Sequence, residues 1–191
     1  MVKPIEVEEL LSLADYEKAR LDLRRQMLAL RKQRRVPIGN RLSFVFECRE
    51  TVLFQLYETM RSEGIADKAA LGAECAVYNA MLPTSHELSA TLVIDLPEGA
   101  NVRQELQRLA GIETSSWLVV GDGQLPARFE VPTGPEPVAP NQHIRFLFND
   151  VERHAFQRAE TPVLLKIEAP NYNAQTAVVG ETRRLLGEDL S

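Results

Sequence analysis

Cysteine is scarce in this chain. Two residues, Cys48 and Cys75, among 191 exclude a disulfide framework, and neither stands at metal-ligand spacing from another ligand. That usage suits a reducing compartment, so a cytoplasmic protein is expected. The three histidines, His86, His143 and His154, are scattered. The Glu-x-x-His pairs that hold carboxylate-bridged iron in helical bundles are missing, and no metal or cofactor is expected. No run approaches the ~18 consecutive apolar residues of a membrane-spanning helix. The opening stretch, MVKPIEVEELLSLADYEK, is acidic and lacks the charged-then-apolar order of a secretory signal. A net charge of −5 removes the global signature of a nucleic-acid binder. Neither nucleic acid nor a membrane is therefore an expected partner. Gly-rich phosphate loops, a Gly-x-Ser-x-Gly elbow, a Ser-His-Asp pattern and a zinc pattern are all absent, as are internal repeats.

What is present is an ordinary globular balance, 45% hydrophobic and 26% charged. A chain of this length buries a core without staples. One domain over residues 1–191 is expected, with a helical part over 1–83 and a mixed part over 84–191.

The longest helical pattern is SLADYEKARLDLRRQMLALRKQRRVPIG. Ser12 and Asp15 resemble a capping box. Tyr16, Leu23, Met27 and Leu30 form an apolar stripe, and Pro37 and Gly39 are expected to end the helix. Charge along it is lopsided: Arg20, Arg24, Arg25, Arg31, Lys32, Arg34 and Arg35 face a single Asp22. Cations favour a helix C-terminus, so a solvated face explains the run; a docking patch for an acidic partner explains it too. RLSFVF alternates as a short strand. Helices follow from about Thr51 to Ser62 and from an Asp67 cap to Pro83.

From ELSATLVID onward, strands and helices interleave. Asn101 caps a helix that Gly111 stops. SSWLVVGDGQLPARFEV reads as a hairpin turning at Asp122-Gly123, with Trp117 expected in the core. PTGPEPVAPN, with four prolines in ten residues, reads as a loop. A tight hairpin among interleaved elements argues an α+β fold. Its antiparallel or mixed sheet carries helices mainly on one face, as a ferredoxin-like variant. If the apolar positions face those helices, the other face displays Thr91, Asp95, Arg128, Glu130, Arg145, Lys166 and Glu168.

The stretch FECRE concentrates the candidate chemistry. Glu47 and Glu50, three apart at a strand–helix junction, complement a helix N-terminus or contribute carboxylates to a site. Arg49 is placed to pair with Glu74 or Glu87 and lock the helices to the sheet. Cys48 lacks a local base and reads as a packed residue. Glu47, Arg49, Glu50, Glu74, Glu87, Arg128 and Arg145 are the ligand-binding candidates, around a pocket between the helical layer and the sheet. Arg24, Arg31, Arg34 and Arg35 are the partner-binding candidates. No catalytic residue is assigned.

FECRETVLFQ is preceded by RRVPIG. It is followed by YNAMLPTSHELSATLVIDLPE, WLVVGDGQLPARFE and IRFLF. This ordered set, running from Leu11 to Leu190, resembles the bacterial family DUF3501, a domain of unknown function. Arg35, Glu47, Arg49, Glu50, Gln55, Tyr78, Asn79, Glu87, Ser89, Arg128 and Arg145 match the family pattern. Cys48 stands where that pattern has asparagine, so the resemblance implies no cysteine chemistry. It carries no catalytic roles. It does imply a context: genes of this family neighbour those of rubrerythrin-like and cysteine-rich iron–sulfur oxidoreductases. An accessory protein docking an iron-redox partner is one expectation. An enzyme or small-ligand or metal sensor using Glu47, Arg49 and Glu50 is the other. On the first, reversing Arg31, Arg34 and Arg35 to glutamate should abolish the complex.

Overall fold

Ser12 accepts a hydrogen bond from the backbone N–H of Asp15 and starts helix α1 (Leu13–Gln33). The computed structural model describes residues 2–191 except 97, 98, 100 and 131–140; the proline-rich loop expected over 132–141 thus falls almost wholly outside the described residues. A 3-10 turn, Val7–Glu9, precedes α1. The helix stops at Arg34, ahead of Pro37. RVPI is strand β1 (Arg35–Ile38), antiparallel to β2 (Leu42–Phe46). Pro37 is accommodated because β1 is the outer strand of its sheet, where a missing N–H costs no ladder bond.

Helices α2 (Arg49–Glu63) and α3 (Lys68–Asn79) follow. Asp67 caps α3 through the N–H groups of Ala69 and Ala70. Then come β3 (Glu87–Ile94), α4 (Val102–Arg108), a 3-10 turn at Ile112–Thr114, β4 (Ser116–Val120), β5 (Gly123–Pro126), β6 (Arg128–Phe129) and β7 (Asn141–Leu147). The chain closes with α5 (Asp150–Gln157), β8 (Val163–Ala169), β9 (Tyr172–Ala177) and α6 (Gly180–Asp189). The β4–β5 turn is one residue earlier than expected. Val120 pairs with Gly123, leaving Gly121-Asp122 as the loop. Gly121 alone has a positive φ, 58°, as a type II′ turn requires of its first central residue.

The α+β class is as expected, but the strands form two antiparallel sheets instead of one layer. Their orders are β1-β2-β3-β7-β6 and β5-β4-β8-β9. They face each other across one core: Phe44, Phe46, Leu92, Ile144 and Phe146 from the first meet Leu118, Leu125, Leu165 and Ile167 from the second. α5 and α6 add Phe156 and Leu186 to it. Tyr172 clasps the two sheets, donating to the Ile38 carbonyl at 2.6 Å. Gly39 makes the approach possible, since a Cβ there would lie 2.3 Å from the Tyr172 hydroxyl oxygen. Trp117 is only half-buried, with Lys166 as its cross-strand partner on the outer face of the second sheet. It is not part of the core.

A second core lies within the helical layer, from Ile5, Tyr16, Val52, Leu56, Tyr57, Met60, Cys75 and Leu82. Tyr16 and Tyr57 stack there at 4.7 Å. Residue 83 therefore does not divide the two cores, because β1 and β2 belong to the sheets. The apolar strand positions point at the other sheet, not at α1–α3. These helices instead cover the polar face of the first sheet, and Lys166 and Glu168 lie on the second sheet altogether.

Arg34 joins these parts. It is 3% exposed, donates to the carbonyls of Phe46 (2.9 Å) and Glu47 (3.1 Å), and pairs with Asp189 of α6. Nearby, Thr182 donates to the Gln33 carbonyl. Burial raises the Asp189 carboxyl to about 6, against the attraction of Arg34, with Glu50 and Glu188 adding repulsion. Removing one member of a buried pair strands the other, so Arg34→Gln should cost about 3 kcal/mol or more in a urea titration. The native state holds the Asp189 proton more tightly than the unfolded chain does. This group's contribution to stability is thus greatest below pH 3.8 and declines as pH rises to about 6. Asp189→Asn should flatten the pH dependence of the urea midpoint across that window.

Candidate functional site

Strand alternation decides where FECRE points. Phe46, the last residue of β2, faces the sheet core, so Glu47 turns the other way, toward the helices. Its N–H is held by the Ser89 carbonyl at 2.8 Å. Cys48 then caps α2 in an extended conformation, its N–H bonded to the Thr51 hydroxyl oxygen at 2.9 Å.

The Glu47 side chain is 1% exposed and has no cation within 4.0 Å among the described residues. Three neutral donors hold it: Thr51, Gln55 Nε2 at 3.0 Å and Thr91 Oγ1 at 2.6 Å. They come from α2 and β3. A buried carboxylate without a counterion needs such donors, and an ionised carboxylate has about four acceptor positions. One position remains.

Glu47 lines a cavity of about 300 Å³ with Arg31, Val45, Gln55, Thr91 and Val93. A second cavity of about 470 Å³ shares Arg31 and Gln55 and opens between α1, α2 and α3, past Arg24, Met27, Thr59 and Tyr78. The two adjoin at Arg31 and Gln55 as two lobes of a cleft: the smaller lies between the helical layer and the polar face of the first sheet, and the larger is lined by α1, α2 and α3 alone. Arg31 stands where the two lobes meet. Its Nε is buried without a hydrogen-bond partner, and no carboxylate lies within 4.0 Å of it among the described residues. Arg20 on the same helix differs: it grips Glu58 at 2.7 and 2.8 Å, which holds that carboxyl down at about 2.

The other candidates separate. Arg49 reaches neither Glu74 nor Glu87; it clasps the N-terminal segment through the Lys3 carbonyl (2.8 Å) and Glu9. Glu50 is exposed, and Glu74 is half-buried on α3. Arg145 does the locking expected of Arg49, binding Glu87 at 3.0 Å, Glu130 at 2.8 Å and the Ala80 carbonyl at the end of α3. Arg128 is exposed on β6. Of the partner-binding candidates, Arg24 and Arg31 border the cleft, Arg35 pairs with Asp95 at the surface, and Arg34 is buried. A partner cannot reach Arg34, and reversing it would break the fold. The cluster of Glu47, Arg49 and Glu50 is therefore not one site, because the three side chains leave the helix start in different directions.

The sequence placed Thr91 on the polar sheet face and Arg31 in the basic run, but joined neither to Glu47. Nor did it show a third arrangement. Ser89 Oγ lies 2.7 Å from His143 Nε2, and His143 Nδ1 lies 3.3 Å from Glu130. The order is that of a hydrolytic triad, but Ser89 is 1% exposed and its hydroxyl donates to the Met81 carbonyl at 2.7 Å. The serine proton is committed and its oxygen is enclosed, so the set binds α3 to the sheet. Burial pushes the Cys48 thiol up to about 11, which makes it a poor nucleophile. Among the described residues no three His, Cys, Asp or Glu side chains converge as a metal site, and no helix is long and apolar enough to cross a membrane.

No curated protein matches the chain. A crystal structure titled as a novel protein of unknown function, from Burkholderia pseudomallei K96243, superposes with a TM-score of 0.90 at 27% identity. The match covers 99% of this chain and 100% of that one. The family described as "Protein of unknown function (DUF3501)" matches residues 4–190; with the match spanning nearly its whole length, the chain belongs to the DUF3501 family.

Proposed function

We propose that this protein binds a small organic anion in the cleft, with the acid on Arg31 and the body between Val45 and Val93. The observation that carries this reading is the guanidinium without a counterion at the junction of the two lobes. Arginine favours planar, bidentate acids, and the polar groups beside it, Glu47, Gln55 and Thr91, are of the kind that fix a ligand's orientation. The open acceptor position of Glu47 suits a hydroxyl or ammonium on the same ligand. With Ser89 and His143 enclosed and the Cys48 thiol a poor nucleophile, binding is a better reading than catalysis.

A second reading rests on the outer face of α1, which meets the rim of the cleft at Arg24 and Leu28. Leu21 and Leu28 on α1 are 66% and 64% exposed and share a face with Arg24, Arg25 and Lys32. Such a mixed apolar and basic patch fits an acidic protein partner. The rubrerythrin-like or iron–sulfur oxidoreductase implied by the family's gene context is the partner this reading proposes.

The cleft reading is tested by thermal shift against small hydroxy, amino and dicarboxylic acids. A binding acid raises the melting temperature by linkage. Arg31→Gln should abolish that shift while changing stability by less than about 0.5 kcal/mol, since no protein partner is lost. Glu47→Gln should cost about 1–3 kcal/mol, because its amide N–H₂ would face donors. A shift that survives Arg31→Gln overturns the assignment. For the second reading, Arg24→Glu with Leu28→Glu and Lys32→Glu, which spares Arg34, should abolish anaerobic co-purification of the iron-redox partner; undiminished co-purification would dismiss the patch.

A further inference from the structure

A second guanidinium lacks an acid, on α6. Arg183, on the first turns of α6, has its Cζ over the Phe156 ring, 3.7 Å from the centroid. Its Nη2 approaches the carbonyls of Arg158 and Thr161 at 3.4 and 3.5 Å, the outer limit of hydrogen bonding. Nη1 is closed off from solvent and has no acceptor. No carboxylate lies within 4.0 Å of it among the described residues. The neighbouring Arg184 is fully engaged by Glu181 and Glu188, so Glu188 is already committed elsewhere.

A half-buried cation held by one aromatic face and two long carbonyl contacts is under-satisfied. Burial lowers Arg183 to about 10, which leaves it charged at neutral pH. It borders a groove of about 800 Å³ between α6 and the α5–β8 connection, within the range of small-molecule sites. Phe156, Ala159, Pro162, Val163 and Val178 give the groove apolar walls, and Gln157, Glu160, Arg184 and Glu188 also line it.

We infer that this groove is a binding site for an organic carboxylate with an apolar body, its acid completing Arg183. Arg184 is neutralised by Glu181 and Glu188, so Arg183 is the cation without an acid beside the apolar walls; an inorganic anion leaves those walls wet, and a neutral lipid leaves the cation unpaired. The weak carbonyl contacts let the guanidinium rotate about its last torsions and present Nη1 to the groove. The geometry of a guanidinium suits a carboxylate's two oxygens. This inference stands apart from the Arg31 cleft and survives its failure.

Octanoate is the probe, with octanol and inorganic phosphate as controls, titrated into the full chain by calorimetry. Saturable octanoate binding is expected, at least tenfold weaker for octanol and for phosphate. Arg183→Gln should weaken octanoate tenfold or more, about 1.4 kcal/mol. Gly187→Leu provides a variant that does not depend on losing the charge. Gly187 lines the groove, and nothing lies within 4 Å of a Cβ built there, so leucine fits the helix and obstructs the groove. It should abolish binding while leaving the fold intact, and Arg31→Gln should leave octanoate binding unchanged. Absence of saturable octanoate binding, equal affinity for octanol, or unaltered binding in Gly187→Leu overturns the assignment.

Discussion

One buried guanidinium organises the molecule. Arg34 sits where α1 ends, and its own carbonyl accepts the N–H of Phe46 while its side chain holds the carbonyls of Phe46 and Glu47. The same side chain meets Asp189 near the far end of the chain. A charge removed from water has to be met by fixed acceptors. Meeting it here draws the end of α1, the strand–helix junction and α6 to one point. The junction so fixed is the one that presents Glu47 to the cleft, so the site inherits its geometry from an ion pair that takes no part in binding.

The helical layer and the paired sheets each bury their own apolar side chains. Between them lies a seam of hydrogen bonds: Glu47 to Thr51, Gln55 and Thr91; Ser89 to Met81; Arg145 to Ala80. Antiparallel sheets usually leave a polar face to water. Covering such a face with helices requires each group to find a partner, and imperfect coverage leaves cavities. The cleft follows from this architecture. Val45 and Val93 give it apolar walls, and the polar positions of β3 give it hydroxyls.

Local signals in the sequence located most elements. Ser12, Asp67 and Asn101 cap helices where their side chains should, because capping depends only on neighbours a few residues away. The alternation of β2 and β3 was equally plain. What alternation cannot say is which layer meets which face, and so the helices were expected on the apolar face and the covering of the polar one stayed undecided. Charges were legible as a run but not as individuals. Arg20, Arg34 and Arg35 have partners 38, 155 and 60 residues away, and nothing in a run of cations reveals which will be buried, which paired at the surface and which left over. Glu47 was singled out for its neighbours Arg49 and Glu50, yet its significance comes from Thr91, brought across by strand pairing.

The polar seam also determines how the two layers part. Surface exposed on opening sets sensitivity to denaturant, and a seam made of hydroxyls, amides and carboxylates exposes little apolar area when it separates. The bonds lost are ones that water replaces at modest net cost. Separation along the seam would therefore expose Glu47 with little apolar surface, while the bonds of Arg34 keep the end of α1 tied to the strand–helix junction.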